Sequence, residues 1–220
     1  RRIRPEQKDY WAFKPLQQNP FRKDFHPQAQ NPIDHFIAAG INSQQLHFSQ
    51  PAKTSTLVRR IFLDTLGMPP TSNQLTDLMS HPQDQIIPRT IEHVLASPHY
   101  GERWARHWLD VARFAESHGF EQDYDRPFAF HYRDFVIKAL NQDMPYDQFT
   151  RWQLAGDELA PENPLAMMAT GFLGAGVFPT QITANEVESS RYDALDDMAA
   201  TTGTAMLALT IGCARCHDHK

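Results

Sequence analysis

Apolar residues recur along this chain three and four apart, and nowhere alternate with period two for long enough to describe a strand. Asn31-Pro32 opens a short helix with Ile33, Phe36 and Ile37 on one face and Gly40 as its expected stop. Thr54 or Ser55 caps the next, through Leu57, Ile61 and Leu66, before Gly67-Met68-Pro69-Pro70 ends it. Thr71 or Ser72 starts a third with Leu75, Leu78 and Met79 inward. Residues 88–96 make a fourth, through Ile91, Val94 and Leu95. Ser97-Pro98 begins a helix whose wide aromatic stripe, Trp104 and Trp108 with Val111, Ala112 and Ala115, places it at the centre of the core, with its stop near Gly119. Residues 130–140 and 145–154 give two more around the break Asp143-Met144-Pro145, and 164–177 is small and apolar. A last long helix runs from about Ser189 towards the C-terminal motif, with Leu195, Met198, Thr202, Met206 and Leu209 on one side and Asp193, Asp196 and Asp197 largely on another. The expected fold is all-α: an irregular domain of eight or nine helices over residues 31–220, behind an extended, proline-rich arm or linker over residues 1–30 anchored by Trp11 and Phe13.

Bulk properties narrow the function classes. The 220 residues carry a formal net charge of −5, with 41% hydrophobic and 21% charged residues. An acidic chain lacks the basic face of a general nucleic-acid binder. The longest apolar window, 165–178, is broken by glycines and falls short of the roughly 20 residues a membrane helix needs. The chain opens on Arg1 and stops three residues past its C-terminal motif, so it reads as an excised or processed piece of a longer protein.

That motif holds both cysteines. Cys213-Ala214-Arg215-Cys216-His217 has the spacing that attaches a c-type haem: two thiols three positions apart add to the two vinyl groups of one porphyrin, and the following histidine binds the iron. Two cysteines at this separation followed by histidine arise by chance on the order of 1 in 2000. Covalent haem implies export to the periplasm or beyond. Other chemistries remain open at this point. Cys213, Cys216, His217 and His219 are the donor types of a structural zinc site, although four donors within seven residues rarely surround one ion. A redox disulfide would require a strand–helix context of thioredoxin type, which is not visible. A sixth iron ligand would be His or Met, and His219 lies too near His217 to reach the opposite face of the ring.

Two further clusters carry polar chemistry. Between Glu116 and Arg126, four carboxylates and His118 gather at a helix end. Glu116, His118, Glu121 and Asp123 are the residues that a hydrolase acting on an extracellular polymer would use, but the spacing matches no EF-hand, and a solvated, salt-bridged loop accounts for it. Arg103, His107, Asp110 and Arg113 recur on one helical face as a polar ladder tying helices together. The small stretch 199–205 lets another helix or a flat ring approach its backbone closely.

The run from Tyr100 to Phe114, Y-G-E-R-W-A-R-H-W-L-D-V-A-R-F, resembles the hallmark segment of the exported planctomycete-type family called domain of unknown function 1549. The resemblance continues through Asn31-Pro32-Ile33-Asp34, Leu66-Gly67-Met68-Pro69-Pro70-Thr71, Arg126-Pro127, Tyr132-Arg133-Asp134, Pro145-Tyr146-Asp147, residues 153–159 (Q-L-A-G-D-E-L), Arg191-Tyr192-Asp193 and residues 212–220 (G-C-A-R-C-H-D-H-K). It implies a part of a large secreted or periplasmic protein, with a cytochrome c-type domain upstream and an uncharacterised domain downstream as its partners. It implies no enzymatic activity. A haem role passes only to Cys213, Cys216 and His217.

Overall fold

The structure, a computed structural model, describes residues 4–16, 29, 31–120 and 122–217. It is all-α, as the periodicity predicts: among the described residues nine helices of six or more residues follow a four-residue helical turn, and no strand forms. The chain divides into two compact units, Arg1–Ala52 and Lys53–Lys220.

The first unit contains α1 (Pro5–Lys8), a 3-10 turn at Trp11–Phe13, and α2 (Pro32–Ser43). The described part of the arm is therefore helical in two places, not extended; Trp11, expected as an anchor, is 75% exposed, and the Phe13 side chain lies outside what the structure describes. Asn31 starts α2 through a reciprocal capping box: its side-chain oxygen accepts from the Asp34 N–H at 3.0 Å, and Asp34 accepts from the Asn31 N–H. The helix does not stop at Gly40. A right-handed glycine costs a helix only about 1 kcal/mol, so α2 continues to Ser43, whose hydroxyl donates back to the Gly40 carbonyl.

The second unit is built from α3 (Thr54–Leu66), α4 (Ser72–Met79), α5 (Gln83–Leu95), α6 (His99–Val111), α7 (Phe130–Asn141), α8 (Tyr146–Leu159), α9 (Pro164–Ala169) and α10 (Val187–Leu207). Two apolar clusters hold it. Val58, Phe62 and Leu66 of α3 close on Leu78 of α4 and on Ile86 and Val94 of α5. The inward stripe of α3 thus lies one residue on from the expected Leu57 and Ile61. Likewise α5 begins at Gln83 and runs through Pro88, which lies inside the helix, past its first turn, and forfeits one backbone bond there. Its Ile91 and Leu95, expected inside, are 43% and 52% exposed.

The larger cluster joins Ala105 of α6, Tyr132, Phe135 and Val136 of α7, Phe149 of α8 and Phe172 beyond α9. Phe135 and Phe149 stack 5.5 Å apart with an 11° interplanar angle. The small residues of α6 are its buried positions, Gly101 and Ala105, with Ala112 buried just past its end, so the helix lies close to α7, while Trp104 and Val111 remain 40% and 46% exposed. At Gly101 a side chain would run into the Ile137 carbonyl; instead the Gly101 N–H donates to Asn141 at 2.8 Å.

Within this cluster lies one polar network. The Trp108 indole N–H donates to the Tyr132 hydroxyl and to the Gln153 side-chain oxygen, the Tyr132 O–H donates to the same oxygen, and the Gln153 amide donates to the Phe149 carbonyl. Gln153 is fully buried and satisfied, the condition for a polar side chain in an apolar core. Burial holds the Tyr132 hydroxyl far above the usual phenol range.

Candidate functional site

Helix α10 ends where Ala208 adopts the left-handed conformation, φ 54°, and reverses the chain. The Leu209 N–H then bonds back to the Gly203 carbonyl at 2.9 Å. Residues 209–212 return along the small stretch of α10, where Gly203 admits the Ile211 side chain at a spacing a Cβ would close to 2.9 Å. The approach expected of a second helix or a flat ring is made here by the chain itself.

This return delivers the 3-10 turn Gly212–Arg215, with Cys216 and His217 following. Cys213 and Cys216 are free and exposed, and the Cys216 N–H donates to the Cys213 carbonyl at 3.3 Å, so both thiols belong to one turn. Arg215 fastens the turn to α10 by ion pairs to Asp193 and, at 3.6 Å, Asp196. Asp193 holds the exposed Arg215 guanidinium above its ordinary range. In its chemistry the donor set suits covalent haem attachment: two unbonded thiols and an imidazole along one turn. No three His, Cys, Asp or Glu side chains converge as a metal site among the described residues. His219, the fourth donor of the zinc alternative, lies outside them.

The acidic segment after α6 is a separate structure. Arg113, expected on the helical ladder, lies beyond the end of α6 at φ 54° and turns to α10, where its Nε sits 2.9 and 2.7 Å from the two Asp197 oxygens. His107 and Asp110 are exposed and Arg103 lies against Gly67, so the ladder does not form. Gly176 makes room for the Arg113–Asp197 pair, since a Cβ there would fall on the carboxylate.

Arg126 donates to the carbonyls of Gly174, Ala175 and Gly176 and, through Nε, to Nδ1 of His118 at 3.2 Å. Accepting at Nδ1 leaves His118 to carry its proton on Nε2. Burial and, after it, the like charge of Arg113 hold Arg126 below the ordinary arginine range. The carboxylates here are held apart. Glu116 pairs with Arg133 at 2.6 Å, Asp123 accepts from the Gly119 N–H, and Asp125 joins Ser117 in an isolated β-bridge. Glu121 lies outside the described residues.

Asp123 offers a direct titration test. Hydrogen bonds from the Ser117 hydroxyl and the Gly119 N–H hold its carboxyl below the usual range. A depressed carboxyl stabilises the folded loop above its ordinary pKa, and that contribution is lost as pH falls through the depressed value. In Ser117→Ala the Asp123 midpoint should rise towards the ordinary aspartate value, read by carboxyl-carbon NMR. An unmoved midpoint would show that the serine does not hold the carboxylate.

The profile of a family described as "Protein of unknown function (DUF1549)", also labelled PSCyt2, matches residues 32–220. The chain belongs to this family. No curated protein and no solved structure matches it.

The DUF1549 run between Tyr100 and Phe114 is α6 with its exit turn, and several of its residues also line cavities. One cavity, about 450 Å³, lies beside Arg126 and His118 and is walled by Phe114, Phe128, Tyr132 and Met168. A second, about 340 Å³, opens between α6 and the α7–α8 connection and is lined by Tyr100, Trp104, His107, Trp108, Tyr146 and Phe149 among others. Neither touches residues 207–217 of this DUF1549 domain. Sequence reasoning missed both cavities, although the signal for the second was present in the aromatics of residues 100–108 and 146–149.

Proposed function

We propose that this chain is a haem-bearing, electron-transferring module of a larger exported protein. Cys213 and Cys216 are the thioether anchors and His217 is the proximal ligand. When bound, haem supplies one-electron chemistry; the chain's own residues hold the attachment turn. The observation that carries this reading is the placement of two free, exposed thiols on one turn directly before His217. Arg215 supports it by fixing the turn through Asp193 and Asp196, so that the motif is presented in one orientation. Electrons would pass to a neighbouring cytochrome c-type domain of the same polypeptide.

The test is the exported full-length protein, matured with a haem-attachment apparatus, examined by absorption spectrum, metal content and intact mass. A Soret band that survives acid–organic extraction, with one haem added to the mass, is the expected result. The double variant Cys213→Ala/Cys216→Ala should lose all covalently retained pigment while keeping its far-ultraviolet circular dichroism. A colourless protein holding one zinc per chain would overturn the haem reading in favour of a structural clip by the same cysteines and histidines.

A further inference from the structure

The cavity between α6 and the α7–α8 connection has an unusual lining. Five of its ten lining residues are aromatic rings other than histidine: Tyr100, Trp104, Trp108, Tyr146 and Phe149. These rings are not parallel. Trp108 and Phe149 meet edge to face at 69° with centroids 4.9 Å apart, Tyr100 and Trp104 are tilted by 39°, and Tyr146 and Phe149 by 30°. Rings set at such angles form walls around a space. The indole nitrogens are engaged elsewhere, Trp104 with the Thr65 carbonyl and Trp108 with Tyr132 and Gln153, which fixes both planes.

One charge completes the lining. Asp143 sits in the turn after α7 in the left-handed conformation, φ 49°, and its carboxylate has no hydrogen bond or ion pair among the described residues. No lysine or arginine lines the cavity. The volume, about 340 Å³, lies at the lower end of the range for small-molecule sites.

We propose that this cavity binds a quaternary alkylammonium group, with the aromatic walls facing the cation and Asp143 as counter-charge. The negative faces of aromatic rings attract a weakly hydrated cation, and the attraction strengthens as water is excluded. A bare metal ion is a poor occupant, because one carboxylate and a set of rings do not replace its shell of oxygen ligands. A primary ammonium would leave donors without acceptors against the apolar walls. A trimethylammonium group has none to lose. The site is independent of the haem reading, since none of its residues belongs to the attachment turn.

The trimethylammonium group reaches such a site either on a free small molecule or on a trimethylated lysine side chain, and the experiment separates the two. The full chain is titrated by calorimetry with choline, with its uncharged isostere 3,3-dimethylbutan-1-ol, and with a short peptide carrying trimethyllysine beside its unmethylated form. Choline should bind with a Kd of about 1 mM or tighter, and the neutral isostere at least about 10-fold more weakly. Asp143→Asn, a substitution its left-handed turn tolerates, and Trp104→Leu should each weaken choline by about 5- to 30-fold. Tyr146→Leu, at a 61% exposed position, serves if Trp104→Leu melts early. Tighter binding of the methylated peptide than of choline would identify a protein tail as the source, and the reverse a free metabolite; either supports the site. Equal binding of choline and the neutral alcohol, no binding of any of the ligands, or affinities indifferent to Asp143 and both ring variants would overturn it.

Discussion

Phe135→Ala should lower the unfolding free energy by about 3–5 kcal/mol, the cost of emptying a large, fully buried aromatic site whose neighbours relax only in part. Phe135 is 0% exposed, stacks on Phe149 and lies 6.3 Å from the Tyr132 ring. Its loss therefore opens a void where α7 meets α8 and loosens one member of the Trp108–Tyr132–Gln153 network. Urea unfolding followed by tryptophan fluorescence measures the effect, and a melting temperature lower by roughly 6–20 °C accompanies it. Ile91→Ala, at a 43% exposed position the periodicity placed inside, is the control and should shift stability by less than about 1 kcal/mol. A Phe135 variant as stable as the Ile91 one would mean that the larger cluster does not carry the domain.

The second large effect concerns Gly156. A Cβ at this position would fall on the Ala166 carbonyl oxygen, a backbone atom that no rotamer change can move aside. Here α8, interrupted by the non-helical Ala155, lies directly against α9. Gly156→Val should cost about 3 kcal/mol or more, the upper end of overpacking, as the two helices are forced apart. Gly40 is the useful contrast, because a Cβ there meets nothing within 4 Å. Gly40→Ala should raise stability by about 0.5–1 kcal/mol through helix propensity and a less disordered unfolded chain. Equal responses at the two glycines, measured by thermal melts, would refute the close approach at Gly156.

These contrasts show what was legible in the sequence. The all-α class was readable because period-three-to-four patterning and punctuation by Asn31, Thr71 and Gly67 are local signals. The inward stripe was less so. Val58 rather than Leu57, and Ile86 rather than Ile91, point inward because packing against α5 and α3 selects the face, and several faces of these helices are apolar enough to qualify. Position 153 and position 156 stood out only as marks of family resemblance; the structure gives them physical reasons, a satisfied buried amide and a backbone contact. The ladder over 103–113 failed because α6 ends before Arg113, and a left-handed residue cannot be read from spacing. The motif over residues 213–217 was fully legible as a motif. Its fastening by Arg215 to Asp193 and Asp196 was not, since that depends on the reversal at Ala208.

That reversal has a bearing on the order of events in the life of the chain. The thiols of Cys213 and Cys216 lie at the surface of a helical body whose apolar clusters are assembled without them. Modification and folding are therefore not rivals for the same atoms. On the proposed haem-bearing reading, an enzyme adding a group to these sulfurs would meet a finished substrate, displayed on a turn clasped to α10, and would not have to catch the polypeptide before it collapses. Maturation would come last, and a chain without it would keep both apolar clusters.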